Sequence, residues 1–257
     1  MKITVLGCGP SAGVPTIGAN WGQCDPANPK NRRRRAGIAV EENGATVLVD
    51  TPPDLRESLL ACDIGRIDAV IFTHAHADHI HGIDDLRVPS WGLKRPIPAY
   101  GSDKTFATLR ERFGYTIDGV KAANASGYYY QPIIEPQTTG VAFMAAGVAV
   151  TSFEQTHGRT ASLGLRFGKF AYSTDVFALD EAAFAALAGV EVWIVDCLRR
   201  EPHVTHSHLA QSLAWIDRAG VRRAILTHMD DSLDYETLRG ELPPHVEPAY
   251  DGMRIEV

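Results

Sequence analysis

Ala69-Val70-Ile71-Phe72-Thr73-His74-Ala75-His76-Ala77-Asp78-His79 decides how this chain is read. Its first part is a short apolar run of β-branched and aromatic residues, with the length and composition of a buried strand. Directly after it, four metal-capable side chains, His74, His76, Asp78 and His79, fall within six residues. Alternate residues of an extended segment face one way, so positions 74, 76 and 78 share a face if the strand direction continues. A turn into a following helix would swing His79 back beside them. Four such residues after a buried strand serve no packing purpose, and imidazole is a preferred metal ligand. Mixed nitrogen and oxygen donors suit zinc, manganese or iron, whereas calcium and magnesium favour oxygen alone.

Working outward, short β-rich runs recur at Ile3 to Gly7, Ala36 to Glu41, Thr46 to Asp50, Ala69 to Thr73, Ile97 to Tyr100 and Val148 to Phe153. They continue at Leu163 to Phe167, Phe170 to Ser173, Val192 to Asp196, Ala224 to Thr227 and Met253 to Val257. Helical spacing lies between them at Pro53 to Ala61, around Asp84 to Val88, and at Lys104 to Phe113, Asp180 to Leu187, His208 to Ala219 and Tyr235 to Arg239. Strands and helices interspersed in this way predict a layered α/β architecture. Several strands end on a polar residue that opens a loop, at Asp50, His74, Asp175, Asp196 and His228, and α/β proteins place their chemistry on such loops.

With 257 residues, 45% hydrophobic and 22% charged, the chain has ordinary globular composition and is expected to form one domain over 1–257. Lys plus Arg number 25 against 31 Asp plus Glu, a net charge of −6, which argues against nucleic acid or an anionic membrane as partner. No apolar run approaches the ~18 residues of a spanning helix. The opening Met1-Lys2-Ile3-Thr4-Val5 lacks the features of a signal peptide, so a cytoplasmic protein is expected. Cys8, Cys24, Cys62 and Cys197 form no C-x-x-C pair and are read as reduced packing residues.

The H-x-H-x-D-H order after a strand resembles the metallo-β-lactamase superfamily. That resemblance implies a four-layer αββα sandwich of two mixed sheets flanked by helices. It also implies later ligands, and His157, Asp175 and His228 stand at matching places. By resemblance, His74, His76 and His157 hold one divalent ion, Asp78, His79 and His228 a second, and Asp175 bridges the two. Asp50 would support the ligands by accepting an imidazole N–H; a turn residue before Thr51-Pro52-Pro53 is the plain alternative. His81 is read as a helix-face residue.

Two ions, zinc or manganese, with a hydroxide between them suit in-line displacement at a phosphoester. Leu6-Gly7-Cys8-Gly9-Pro10-Ser11-Ala12-Gly13-Val14-Pro15, Lys30-Asn31-Arg32-Arg33-Arg34-Arg35, Asp84-Asp85-Leu86-Arg87 and Tyr250-Asp251-Gly252-Met253 resemble the phosphoribosyl 1,2-cyclic phosphate phosphodiesterase branch. That branch carries a structural zinc, and at its four ligand positions this chain has Ala19, Trp21, Cys24 and Asp231, so no such zinc is expected. By the same resemblance His206 assists phosphodiester cleavage, where an imidazole can protonate a departing alkoxide. Capping of the next helix by Ser207 or Thr205 is the plain reading of that stretch. The Lys30 to Arg35 run is read either as a phosphate-attracting patch or as a solvated loop. Tyr128-Tyr129-Tyr130 is read as packing under a loop, or as a rim on which substrate stacks.

The expected activity is therefore a dinuclear phosphodiesterase, with His206, Asp78 and Asp175 in catalysis and a small cyclic phosphodiester as substrate. A homodimer is allowed for. The alternatives are a transfer-RNA 3′-processing endonuclease and a thioester hydrolase of the glyoxalase kind. The endonucleases carry an RNA-gripping arm before the bridging aspartate, whereas here eighteen residues separate His157 from Asp175. Di-iron oxygen or nitric oxide reductases typically have glutamate at the position of His76, and a non-enzymatic metal-holding module would turn over no ester.

Overall fold

The computed structural model describes residues 1–120 and 131–257, and Tyr128 to Tyr130 lie outside them. The chain builds one sheet and then the other. β1 (Lys2–Gly7), β2 (Gly37–Glu42), β3 (Ala45–Val49), β4 (Ala69–Ile71), β5 (Ile97–Gly101) and β6 (Ile134–Thr138) enter the first sheet. β7 (Ala142–Ala145), β8 (Val148–His157), β9 (Thr160–Phe167), β10 (Phe170–Ser173), β11 (Val192–Asp196), β12 (Arg223–Thr227) and β13 (Val246–Pro248) form the second, and β14 (Arg254–Glu256) returns to pair with β1. Among the described residues each sheet has seven strands, ordered β14-β1-β2-β3-β4-β5-β6 and β13-β12-β11-β10-β9-β8-β7.

Both sheets divide the same way. β14, β1, β2 and β3 are antiparallel neighbours, while β3, β4, β5 and β6 run parallel. In the second sheet β7 to β10 are antiparallel and β10 to β13 parallel. A parallel strand needs a crossover, and helices fill that role: α1 (Leu55–Cys62), α2 (Ala77–Ile80), α3 (Arg87–Leu93) and α4 (Asp103–Asp118) on the first sheet, then α5 (Glu181–Leu187), α6 (Leu209–Ala219) and α7 (Tyr235–Glu241). Parallel strands are covered on both faces, and accordingly β4, β10 and β11 are buried at every residue.

The main core lies between the sheets, where Ile3, Val5, Ile38, Val49 and Ile71 meet Leu165, Phe167, Trp193 and Leu226, and Leu187 and Ile216 of α5 and α6 join it. A second core packs Leu48, Val70 and Phe72 against Leu55, Leu59, Phe106 and Leu109 of α1 and α4. The four-layer αββα sandwich expected from the sequence is the observed fold. Among the described residues no helix is long and apolar enough to cross a membrane.

Three strands were not expected, β6, β7 and β13, and all three are sheet edges. Pro136 and Pro248 within two of them weaken the strand signal, because proline cannot donate to a ladder and is tolerated at edges. β8 extends four residues past Phe153, so His157 belongs to the strand rather than the loop after it; its hairpin with β9 pairs His157 with Thr160. α4 continues through a non-helical Phe113 to Asp118, a turn beyond the expected end.

Candidate metal centre

The parallel halves aim the carboxyl ends of β3, β4, β10, β11 and β12 at one edge of the sandwich, and every strand-end residue flagged in the sequence arrives there. Asp50 and His228 follow directly on a strand and Asp175 one residue after one, all with positive φ, at 64°, 61° and 53°. Left-handed backbone is uncommon for residues with a Cβ, and such positions cluster at functional sites. Here the sharp bend turns each side chain off the sheet and onto its rim.

After Thr73 the chain stays extended only as far as His76, which precedes α2 as its N-terminal boundary residue. Asp78 and His79 therefore lie in a helical turn, which corrects the expectation that 74, 76 and 78 share one strand face. All four still converge. His74, His76, His157 and Asp175 form one group, and Asp78, His79, Asp175 and His228 another; within each, one donor atom per residue lies within 4.8 Å of the others. Asp175 stands between them. Its Oδ2 is 3.6 Å from His74 Nε2 and 3.3 Å from His157 Nε2, while its Oδ1 is 3.0 Å from His79 Nε2 and 3.3 Å from His228 Nε2. Asp78 Oδ2 reaches His79 Nε2 at 3.5 Å and His228 Nε2 at 3.7 Å, and His76 Nδ1 meets His157 Nε2 at 3.1 Å.

Hydrogen bonds behind the rings decide which nitrogen faces inward. His79 Nδ1 donates to Asp50 Oδ2 at 2.7 Å and His157 Nδ1 to the Thr205 carbonyl at 2.7 Å. The single Thr73 hydroxyl proton goes to Asp50 Oδ2 at 2.8 Å, so Thr73 Oγ1 accepts from His74 Nδ1 at 3.1 Å. In all three rings Nδ1 is the nitrogen engaged from outside, which leaves Nε2 as the one pointing at Asp175 and available to an ion. Among the described residues, Nε2 of His74, His79 and His228 is buried with no well-aligned hydrogen-bond partner. Buried polar atoms are normally satisfied, and these orphans aimed at shared carboxylates fit divalent ions. Nitrogen and carboxylate donors together fit zinc or manganese.

The charge balance agrees. Burial acts to keep His79 and His228 neutral, yet the carboxylates around them outweigh it, raising His79 well above its usual value and His228 to about 9. Burial likewise opposes ionisation of Asp175 and Asp78, and their imidazole neighbours hold both far below the carboxylate range. His74, His76 and His157 are pushed down by burial. Asp50 is pushed up by burial, against its bonds to His79 and Thr73.

His206 sits at the rim of this cluster, 9% exposed, stacked on His228 with ring centroids 4.6 Å apart and with Nε2 3.8 Å from Asp175 Oδ2. Neither expected cap forms. α6 begins after His208 without a side-chain cap, and Ser207 instead donates its N–H and hydroxyl to Asp196. Asp196 is the residue sequence reasoning passed over. Fully buried, it presents Oδ2 3.4 Å from His206 Nδ1 and Oδ1 3.8 Å from His228 Nδ1, and its place at the end of β11 was the only signal.

Several side chains of the basic run are engaged within the fold. Arg33 is buried and donates to the carbonyls of Asp230 at 2.8 Å and Leu233 at 2.5 Å, clamping the loop after His228. Lys30 lies over Tyr235 and Tyr250, Arg32 over Trp21, and Arg35 pairs with Asp54. Cys24 is buried and its thiol donates to the Leu233 carbonyl, while Asp231 accepts the Gln23 N–H through its backbone carbonyl. His81 packs edge-on against Phe113.

A family model described as the beta-lactamase superfamily domain matches residues 45–229, from β3 to just past His228. The chain belongs to the metallo-β-lactamase superfamily. Within it, a solved structure described as a new diphosphatase from the PhnP family is 34% identical, with a TM-score of 0.89 over all of this chain and 97% of the other. This places the chain in the PhnP-like branch. Zn(2+)-bound PqqB from Methylobacterium extorquens shares the fold at 18% identity, with a TM-score of 0.77 over the full length of both chains. Ribonuclease Z from Mycobacterium marinum is 28% identical over 78% of this chain and 81% of its own. An octanoyltransferase from Porphyromonas gingivalis is 28% identical over 98% of this chain, which spans about half that protein's length.

Proposed function

We propose that this chain is a dinuclear metal-dependent hydrolase that cleaves a small phosphodiester. The observation that carries the reading is Asp175, one carboxylate whose two oxygens face two separate sets of metal-capable side chains. His74, His76 and His157 would hold one ion and Asp78, His79 and His228 the other, zinc or manganese, with Asp175 common to both. When bound, two such ions supply Lewis acidity to a phosphoryl group and to the water that attacks it. Asp50, Thr73 and the Thr205 carbonyl keep the imidazoles in the ligating tautomer and orientation. His206, beside Asp175, would donate a proton to the departing oxygen.

Phosphoester chemistry is favoured because the relatives named as diphosphatase and ribonuclease Z both act at phosphorus. A small substrate is favoured because the span from His157 to Asp175 holds only the β9 hairpin strand and β10. The test is metal content followed by a panel of bis-p-nitrophenyl phosphate, cyclic nucleotides, phosphoribosyl cyclic phosphate, a glutathione thioester and precursor transfer RNA. Two ions per chain and turnover of a small phosphodiester are expected, with Asp175→Ala losing both ions. A reproducible maximum of one ion, or turnover confined to the thioester or the RNA, would overturn it.

A further inference from the structure

Asp175 holds a left-handed backbone conformation, with φ of 53°, although it carries a Cβ. Such a conformation is strained and persists only where the surrounding structure over-determines it. A buried set of side chains from the β8–β9 hairpin does so here. Gln155 and Ser162 face each other across that hairpin, and each is 1% exposed. The Ser162 hydroxyl donates to the Asp175 carbonyl at 2.8 Å. The Gln155 amide donates to the Thr174 carbonyl at 3.2 Å and to Ser162 Oγ at 3.1 Å. Those two carbonyls belong to the planar peptide units on either side of the Asp175 Cα, so holding both fixes its φ and ψ and with them the direction of its Cβ. The hydroxyl of the buried Thr174 then donates to Asp175 Oδ1 at 2.9 Å and sets the roll of the carboxylate.

The amide of Gln155 is a costly way to fill a core position. Among the described residues its Oε1 is buried with no hydrogen-bond partner, and burying an unsatisfied acceptor is unfavourable. Room is made for it as well, since a Cβ on Gly164 of β9 would come within 2.7 Å of that oxygen. An apolar side chain of equal length would leave no orphan, but it could not hold the Thr174 carbonyl. Resting on the dinuclear reading, we propose that Gln155 and Ser162 are positioning residues for Asp175. They act through the backbone on either side of it, keeping Oδ1 toward His79 and His228 and Oδ2 toward His74 and His157, so that both groups share one carboxylate.

The test reads metal binding and a spectroscopic signature, and needs no turnover. Chelator-treated protein is titrated with manganese, two ions of which give an exchange-coupled electron paramagnetic resonance signal when a carboxylate joins them. The unaltered protein is expected to bind two ions and show the coupled signal. Ser162→Ala and Gln155→Met, which remove the donors at similar volume, should each weaken manganese binding ~10–100-fold and diminish the coupled signal at saturation. Ser162→Thr, which keeps the hydroxyl, should restore both. Thermal unfolding of the chelated variants checks that they fold, and Ser162→Ala, the smaller change, decides the matter if Gln155→Met does not. Affinity and signal unchanged in Ser162→Ala, or a loss that Ser162→Thr fails to restore, would overturn the positioning role. Uptake of a single ion by the unaltered protein would overturn the dinuclear reading instead, and the positioning role then stands or falls on whether Ser162→Ala weakens that one ion.

Discussion

Asp175 and His206 are neighbours at 3.8 Å: Asp175 lies between the two groups of metal-capable side chains, and His206 stacks on His228 beside them. Removing His206 should leave both ions in place and slow chiefly those substrates whose leaving oxygen needs a proton. His206→Ala is expected to lose ~10²–10⁴-fold on an alkyl phosphodiester and far less on a p-nitrophenyl ester. Equal losses on the two would point to charge stabilisation rather than proton donation. A second residue-scale outcome concerns Asp251, whose carboxylate accepts the N–H of Cys8 at 3.2 Å and of Arg34 at 2.8 Å. Burial nonetheless pushes it from 3.8 to about 6. Because the folded value is the higher one, the fold favours the protonated acid. That stabilisation is full below about pH 4 and is lost as pH rises through about 6. The stability of the native chain relative to Asp251→Asn should therefore fall, by on the order of 2 kcal/mol, between pH 4 and pH 7. Urea unfolding of chelator-treated protein measures it, and a difference that ignores pH would refute the buried-acid account.

At the scale of elements, the turn after β3 and the turn after α2 are interlocked. Thr51 N–H donates to the His79 carbonyl at 2.8 Å, Gly82 N–H donates to the Thr51 carbonyl at 2.8 Å, and the Asp50 carboxylate accepts from His79. Gly82 has no side chain to spare, since a Cβ there would overlap the Pro52 carbonyl oxygen. Gly82→Ala must therefore drive the 50–52 turn and α2 apart. A stability loss of ~1–3 kcal/mol is expected, with ~10–100-fold weaker metal binding as the Asp50–His79 bond lengthens. Thermal unfolding and metal titration check the two effects; a variant unchanged in both would show that the turns can slide. The same element explains why sequence periodicity misplaced Asp78 on an extended face. Four residues of helix are too short for a 3.6-residue pattern to register, and α2 exists because these backbone bonds to the 50–52 turn hold it.

Over the whole molecule, the candidate ligands divide between the sheets. His74, His76, Asp78 and His79 come from the first, and His157, Asp175 and His228 from the second. Ions held there would join the two halves of the sandwich at one edge. Metal loading is expected to raise the unfolding midpoint by ~10 °C over chelated protein, since tight binding to the native state alone contributes several kcal/mol. An unchanged midpoint at saturating zinc and manganese would mean that no ion bridges the sheets.

What the sequence determined by itself was local. A buried run followed by a dense metal-capable motif can be read without tertiary information, because strand propensity and ligand chemistry reside in the residues themselves. So can the order of strand-end residues that supplied His157, Asp175 and His228, and with the family resemblance these yielded the αββα architecture. The edge strands β6, β7 and β13 escaped because half of an edge strand's partners are absent and proline is tolerated there. The tertiary structure alone decided the rest. Arg33 reads as surface charge until the carbonyls of Asp230 and Leu233 fold onto it, and Asp196 reads as a strand end until His206 and His228 close over it from later in the chain. Burial and partnership are properties of long-range packing, and no local pattern of residue types encodes which distant surface will cover a given side chain.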